Sequence, residues 1–92
     1  MSALRHIILF RLYEHADPDE VLRRLRSLAG EVGLLEWRVE RSLDERKGIV
    51  LVQNSLFSCR EDLERFRVAP RHAEVSRYMS TVADWWVADF EE

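Results

Sequence analysis

Leu4-Arg5-His6-Ile7-Ile8-Leu9-Phe10-Arg11-Leu12-Tyr13 is the stretch on which the fold turns. It is rich in Ile, Leu and aromatic residues and runs into the polar segment Glu14-His15-Ala16-Asp17, the pattern of a strand and its exit. Side chains along a strand alternate between its faces. Leu4, His6, Ile8, Phe10 and Leu12 share one face, apolar except for the histidine. Arg5, Ile7, Leu9, Arg11 and Tyr13 share the other, apolar only at its middle. A strand that is apolar on both faces at its centre needs cover on both sides.

Outward from this strand, Asp17-Pro18-Asp19-Glu20 reads as a helix start: Asp17 as cap, Pro18 in the first turn, Glu20 closing a capping box. Val21, Leu22, Leu25, Leu28 and Ala29 recur at helical spacing, which predicts a helix over Pro18 to Ala29, ended by Gly30 or Gly33. Arg23, Arg24 and Arg26 fall on its wet side. Leu35, Trp37 and Val39 alternate with Glu36, Arg38 and Glu40, a half-buried strand. A charged turn over Ser42 to Lys47 and Gly48 leads into a second strand, Ile49 to Phe57, and the two form an antiparallel hairpin. Ile49 to Val52 is apolar throughout, so this strand is central, and Gln53-Asn54-Ser55 then interrupts it. Ser58-Cys59-Arg60-Glu61 reads as a second capping box, with Leu63 and Phe66 inward. Pro70 restarts a helix in which His72, Val75, Tyr78, Met79 and Val82 share a face. Trp85 to Phe90 closes the chain as a strand, and Glu91-Glu92 is a solvated end.

The order β-α-β-β-α-β, with the second helix broken at Pro70, is the ferredoxin-like split βαβ motif, an α+β fold with both helices on one face of a four-stranded antiparallel sheet. The other face carries Ile7, Leu9 and part of the last strand, and an exposed apolar sheet marks an interface. A homodimer packed sheet to sheet is the expected solution.

Composition narrows the function. The chain has 92 residues, which predicts a single domain over residues 1–92, and a formal net charge of −3 from 14 basic against 17 acidic side chains. That balance gives no general pull toward nucleic acid or an anionic membrane. Its one cysteine, Cys59, excludes an intrachain disulfide, and the apolar run at Ile7–Phe10 is too short for a span or a signal h-region, so a cytoplasmic protein is expected.

The segments Arg5-His6-Ile7-Ile8-Leu9-Phe10-Arg11-Leu12, Phe57-Ser58, Val68-Ala69-Pro70-Arg71-His72 and Trp86-Val87-Ala88-Asp89-Phe90, in that order, resemble the stress-responsive α/β-barrel, or Dabb, family over essentially the whole chain. The resemblance implies a dimeric α+β barrel of two ferredoxin-like protomers. Many members of the family have no assigned activity, and some are linked to stress responses. A plant polyketide cyclase of the family uses a histidine base and a tyrosine partner in a Tyr-x-x-His-Pro-x-His motif. The matching positions here are Phe66, Ala69, Pro70 and His72, so the second histidine is kept while the tyrosine hydroxyl and the first histidine are absent.

Two readings of function follow. The first is a small dimeric protein of unassigned activity that binds a small apolar or aromatic ligand in a stress-related role. The second is a cofactor-independent, cyclase-like enzyme with His72 as general base. His72 falls in the first turn of a helix, whose positive end disfavours a second positive charge and so keeps the imidazole ready to accept a proton. Its alternative role is a tie between loop and core. His6, the lone polar group on its strand face, is either a satisfied core histidine or the polar wall of a cavity under the helices. Ile8, Phe10, Phe66 and Trp85 complete the expected ligand pocket, and His6 and His72 should open into one region. His15 belongs to loop surface. No paired histidines or cysteines at metal-ligand spacing and no Gly-rich phosphate loop occur, so neither a metal nor a cofactor is expected.

Overall fold

The structure, a computed structural model, describes residues 2–92. Its elements are β1 (Leu4–Leu12), α1 (Pro18–Arg26), β2 (Leu34–Arg41), β3 (Val50–Phe57), α2 (Arg60–Val68), α3 (Pro70–Val82) and β4 (Ala83–Glu91). The four strands form one antiparallel sheet in the order β2-β3-β1-β4, the ferredoxin-like arrangement. Opposite His6 in β1 stand Ser55 of β3 and Asp89 of β4, and opposite Ile8 stand Gln53 and Val87. This register decides which side chains share the space under the helices.

Two apolar clusters hold helices to sheet. One gathers Ile8, Phe10 and Leu12 of β1 with Val21 and Leu25 of α1 and Met79 and Val82 of α3. The other joins Leu4, Leu28 and Phe57 to Leu63 and Phe66 of α2. Ala69, in extended backbone at φ −64° and ψ 140°, separates α2 from α3, as the residue before a proline favours.

Several local expectations are corrected. Helix α1 ends at Arg26, not Ala29. The Leu28 and Ala29 amides bond to Leu25 and Arg26, a tightened turn, while the Ser27 hydroxyl donates to the Arg24 carbonyl and Arg71 takes the Ser27 carbonyl. Neither capping box closes. Asp17 accepts from the Asp19 amide, but Glu20 turns to Arg23 and Arg24. The cap of α2 is Cys59, whose side chain makes no capping bond, and the Ser58 hydroxyl donates to Asp62 instead. A bulge between Leu34 and Glu36 turns Leu35 outward, leaving it 59% exposed. Gln53 and Ser55 do not interrupt β3: both are buried on the helix side, and the Ser55 hydroxyl donates to the His6 carbonyl at 2.9 Å. β4 begins at Ala83, directly out of α3, and reaches Glu91. Glu92 is tied down as well: its amide donates to the Ala3 carbonyl, and its carboxylate takes the Arg5 guanidinium in two bonds of 2.9 and 3.0 Å.

The face of the sheet away from the helices carries Ile7 and Leu9 on β1, Val50 and Val52 on β3 and Trp86, Ala88 and Phe90 on β4. Leu9, Trp86 and Phe90 are 45%, 56% and 49% exposed. Charged β2, with Glu36, Arg38 and Glu40 across from β3, borders the patch.

Candidate functional site

Where the two apolar clusters meet, the helices stand off the sheet and leave a cavity of about 260 Å³. Its floor is His6, Ile8 and Phe10, every second residue of β1, flanked by Gln53 of β3 and by Trp85 and Val87 of β4. The roof is His72, Val75, Ser76 and Met79, the i, i+3, i+4, i+7 stripe of α3. Leu25 and Leu28 close one side, and Arg67 enters from the end of α2. Polarity is not spread evenly. His6, Arg67 and His72 gather near the helix break, whereas Phe10, Trp85, Met79 and Leu25 form the opposite, apolar end, with the Phe10 and Trp85 rings 5.8 Å apart.

His6 is 3% exposed, yet its polar group is satisfied. Nδ1 stands 2.5 Å from Oδ1 of Asp89, and Oδ2 of the same carboxylate accepts from Arg67 at 3.0 Å. A carboxylate on Nδ1 holds the proton there and leaves Nε2 as the free ring nitrogen, while fixing the ring plane. His72 is half-buried, with its ring edge-on to Phe66 at 4.8 Å. Burial holds the His72 imidazole below its ordinary pKa. A hydrogen bond with the Arg67 backbone opposes this, and repulsion from His6 and Arg67 adds to it. The imidazole is therefore neutral near pH 7, from burial more than from its place in the first helical turn. Gln53 is 3% exposed and lines the cavity, while the buried side-chain polar atom without a partner among the described residues is Nε1 of Trp37, outside the cavity lining.

The structure brings His6, Ile8, Phe10, Trp85 and His72 around one cavity. It places Phe66 elsewhere: that ring lies in the second cluster, 5.2 Å from Phe57 and 5.6 Å from Trp37, and supports His72 from behind rather than lining the space. His15 is exposed in the turn after β1, as expected, and its Nε2 donates to the Thr81 carbonyl at 2.9 Å. Asp89, Arg67 and Gln53 were not legible as site residues. Asp89 alternates with Trp85 and Val87, but only the β1–β4 register shows that it meets His6. Arg67 carries no periodic signal, and Gln53 reads as a strand breaker. Among the described residues no cluster of three His, Cys, Asp or Glu side chains could hold a metal ion. Among the described residues no helix is long and apolar enough to cross a membrane.

Residues 4–92 match a family model described as the stress responsive A/B barrel domain (Dabb). The chain belongs to the Dabb family. A comparison with curated proteins finds no match. Among solved structures, the chain is similar to a dimeric ferredoxin-like protein of unknown function from Thermobifida fusca, with 18% identity, TM-score 0.86 and coverage of 99% of this chain and 92% of that one. A Dabb family protein with a ferredoxin-like fold from Mesorhizobium loti shows 16% identity, TM-score 0.83 and coverage of 98% and 96%. A hydroxynitrile lyase from Passiflora edulis shows 19% identity, TM-score 0.80 and coverage of 99% and 94%. At these identities the likeness is one of fold, so the chemistry of this Dabb chain rests on its own cavity.

Proposed function

We propose that this protein binds a small, largely apolar or aromatic molecule between its helices and sheet, as a homodimer. The observation that carries the binding reading is the cavity: about 260 Å³, apolar at one end, with His6 fixed by Asp89 at the other. Ligand sites begin near about 300 Å³ for drug-sized molecules, so the occupant is small. Its apolar part fits against Phe10, Trp85 and Met79, and a hydroxyl, carbonyl or acid group meets the histidines. The homodimer is supported by the apolar sheet face around Leu9, Trp86 and Phe90, and by the likeness to the dimeric protein from Thermobifida fusca. A chain with one cysteine fits a cytoplasmic setting.

The test is a thermal-shift screen of small aromatic and acyl compounds. A true ligand at a hundred times its dissociation constant stabilises the fold by about 2.7 kcal/mol. The shift should vanish in Ser76→Phe, which places a ring in the cavity and leaves the histidines intact. An absence of shifts, or a shift that survives this variant, overturns the reading.

A second reading, a cofactor-independent enzyme with His72 as general base, is favoured by one observation: a half-buried imidazole held below its ordinary pKa against the cavity. Such a base exchanges the α-proton of a bound ketone with solvent deuterium. NMR exchange that is equally fast in His72→Ala would remove the reading.

A further inference from the structure

We infer that the ligand of this cavity carries a carboxylate and that Arg67 is the residue that selects it. The inference rests on the cavity being a binding site and adds the class of molecule it takes.

Among the described residues, Arg67 is the only permanently charged side chain lining the cavity, and no carboxylate lines it. The guanidinium lies at the polar end, with His6 and His72. One of its edges is committed, since Nη2 donates to Asp89 at 3.0 Å. The other is held only loosely, through Nη1 to Glu64 at 3.4 Å, a contact between largely solvated groups. A planar guanidinium has five N–H donors in a fork matched to carboxylate oxygens, so a ligand acid can take the Nη1 edge in place of the weakly held Glu64. The committed edge keeps the fork aimed, which lowers the ordering cost of binding.

Gln53, 3% exposed, adds a carboxamide to the cavity floor, and its N–H can donate to an oxygen-bearing ligand. The field in the cavity agrees, because Arg67 disfavours positive charge at His72. From His6 to Phe10 the floor spans four strand residues, about 13 Å, polar at one end and apolar at the other. An aryl or alkyl carboxylate of that length has the complementary polarity, and an amine of the same shape would meet Arg67 head-on.

The experiment compares 4-phenylbutyrate, 4-phenylbutanamide and 4-phenylbutylamine by isothermal titration calorimetry on the full chain. The acid should bind about tenfold tighter than the amide, the difference between a charge-assisted and a neutral hydrogen bond, with the amine weakest. Arg67→Gln keeps a donor for Asp89 and removes the charge. It should bring acid and amide to about equal affinity. Equal binding of acid and amide by the wild type, or an unchanged acid preference in Arg67→Gln, overturns the role of Arg67 and leaves the cavity reading intact. No binding by any of the three overturns both. If Arg67→Gln does not fold, the wild-type order of acid over amide over amine decides alone, and any other order refutes the inference.

Discussion

Replacing Asp89 by alanine asks whether the His6 ring is held by its carboxylate or merely lies beside it. In the folded protein one oxygen of Asp89 meets Nδ1 of His6 at 2.5 Å and the other meets Arg67 at 3.0 Å. Alanine removes both acceptors. Arg67 is partly solvated and rehydrates, so its loss contributes little. His6 is buried, and an orphaned buried donor costs about 1–3 kcal/mol. Because β4 is an edge strand, water can enter beside the truncated side chain, which puts the cost in the lower half, about 1–2 kcal/mol. For a domain of this size each kcal/mol lowers the melting temperature by about 4–8 °C, so the variant should melt about 4–16 °C earlier. Asp89→Asn keeps an acceptor for Nδ1 and should recover at least half of that loss. Calorimetry on the three proteins measures the stability. Titration of any ligand found by the screen measures the second consequence, weaker binding by about tenfold as the ring loses its fixed plane. Wild-type stability together with wild-type binding in Asp89→Ala would refute the reasoning, for His6 would then be positioned by packing against Phe57 and not by its carboxylate.

Leu9→Glu places a charge in the centre of the open sheet face, between Val52 and Trp86; light scattering should show monomers of unchanged helical content, and a stable dimer would exclude sheet-to-sheet association. His72→Gln tests linkage: with the folded pKa below the ordinary 6.5, the unfolded chain binds the proton more readily, so wild-type stability is full above about pH 6.5 and falls as pH drops through that value. Denaturant midpoints between pH 7 and pH 5 should therefore decline less in His72→Gln, and parallel declines would mean that His72 does not contribute. Gly33 has φ +84°, and a Cβ there would come within 2.5 Å of the Asp62 side chain, so Gly33→Ala should cost about 1–3 kcal/mol in equilibrium unfolding.

What was legible in the sequence followed from periodicity. The alternation in Leu4–Leu12 and the helical stripe through His72, Val75 and Met79 put two histidines on surfaces that had to face each other, and they do line one cavity. What was not legible depended on pairing between distant segments. Asp89 reaches His6 across 83 positions, and no local pattern distinguishes it from a solvated acid near the end of the chain. Gln53 looked like a break because a polar residue in a buried strand is costly unless it faces something polar. Capping failed for a different reason. Glu20 and Ser58 had stronger partners nearby, two arginines and a carboxylate, and a capping box competes with such partners at no sequence-visible cost.

The break at Ala69–Pro70 links fold to site. A single straight helix from Arg60 to Val82 would have to bury Leu63 and Phe66 against one end of the sheet and Met79 and Val82 against the other, along one axis. Proline cannot donate to a continuing helix and pushes the residue before it into extended backbone, so α2 and α3 settle separately on their own clusters. The gap they leave lies beneath α3, and at its polar end the floor includes His6, Ile8 and Gln53. Side chains there are too polar or too short to fill the space at core density. Phe66 is large enough, but its ring is drawn away to Phe57 and Trp37. The cavity is therefore a direct consequence of two helices where the connectivity requires only one, and the groups lining its polar end are those that the break releases from the core: Arg67 at the last turn of α2 and His72 at the first turn of α3.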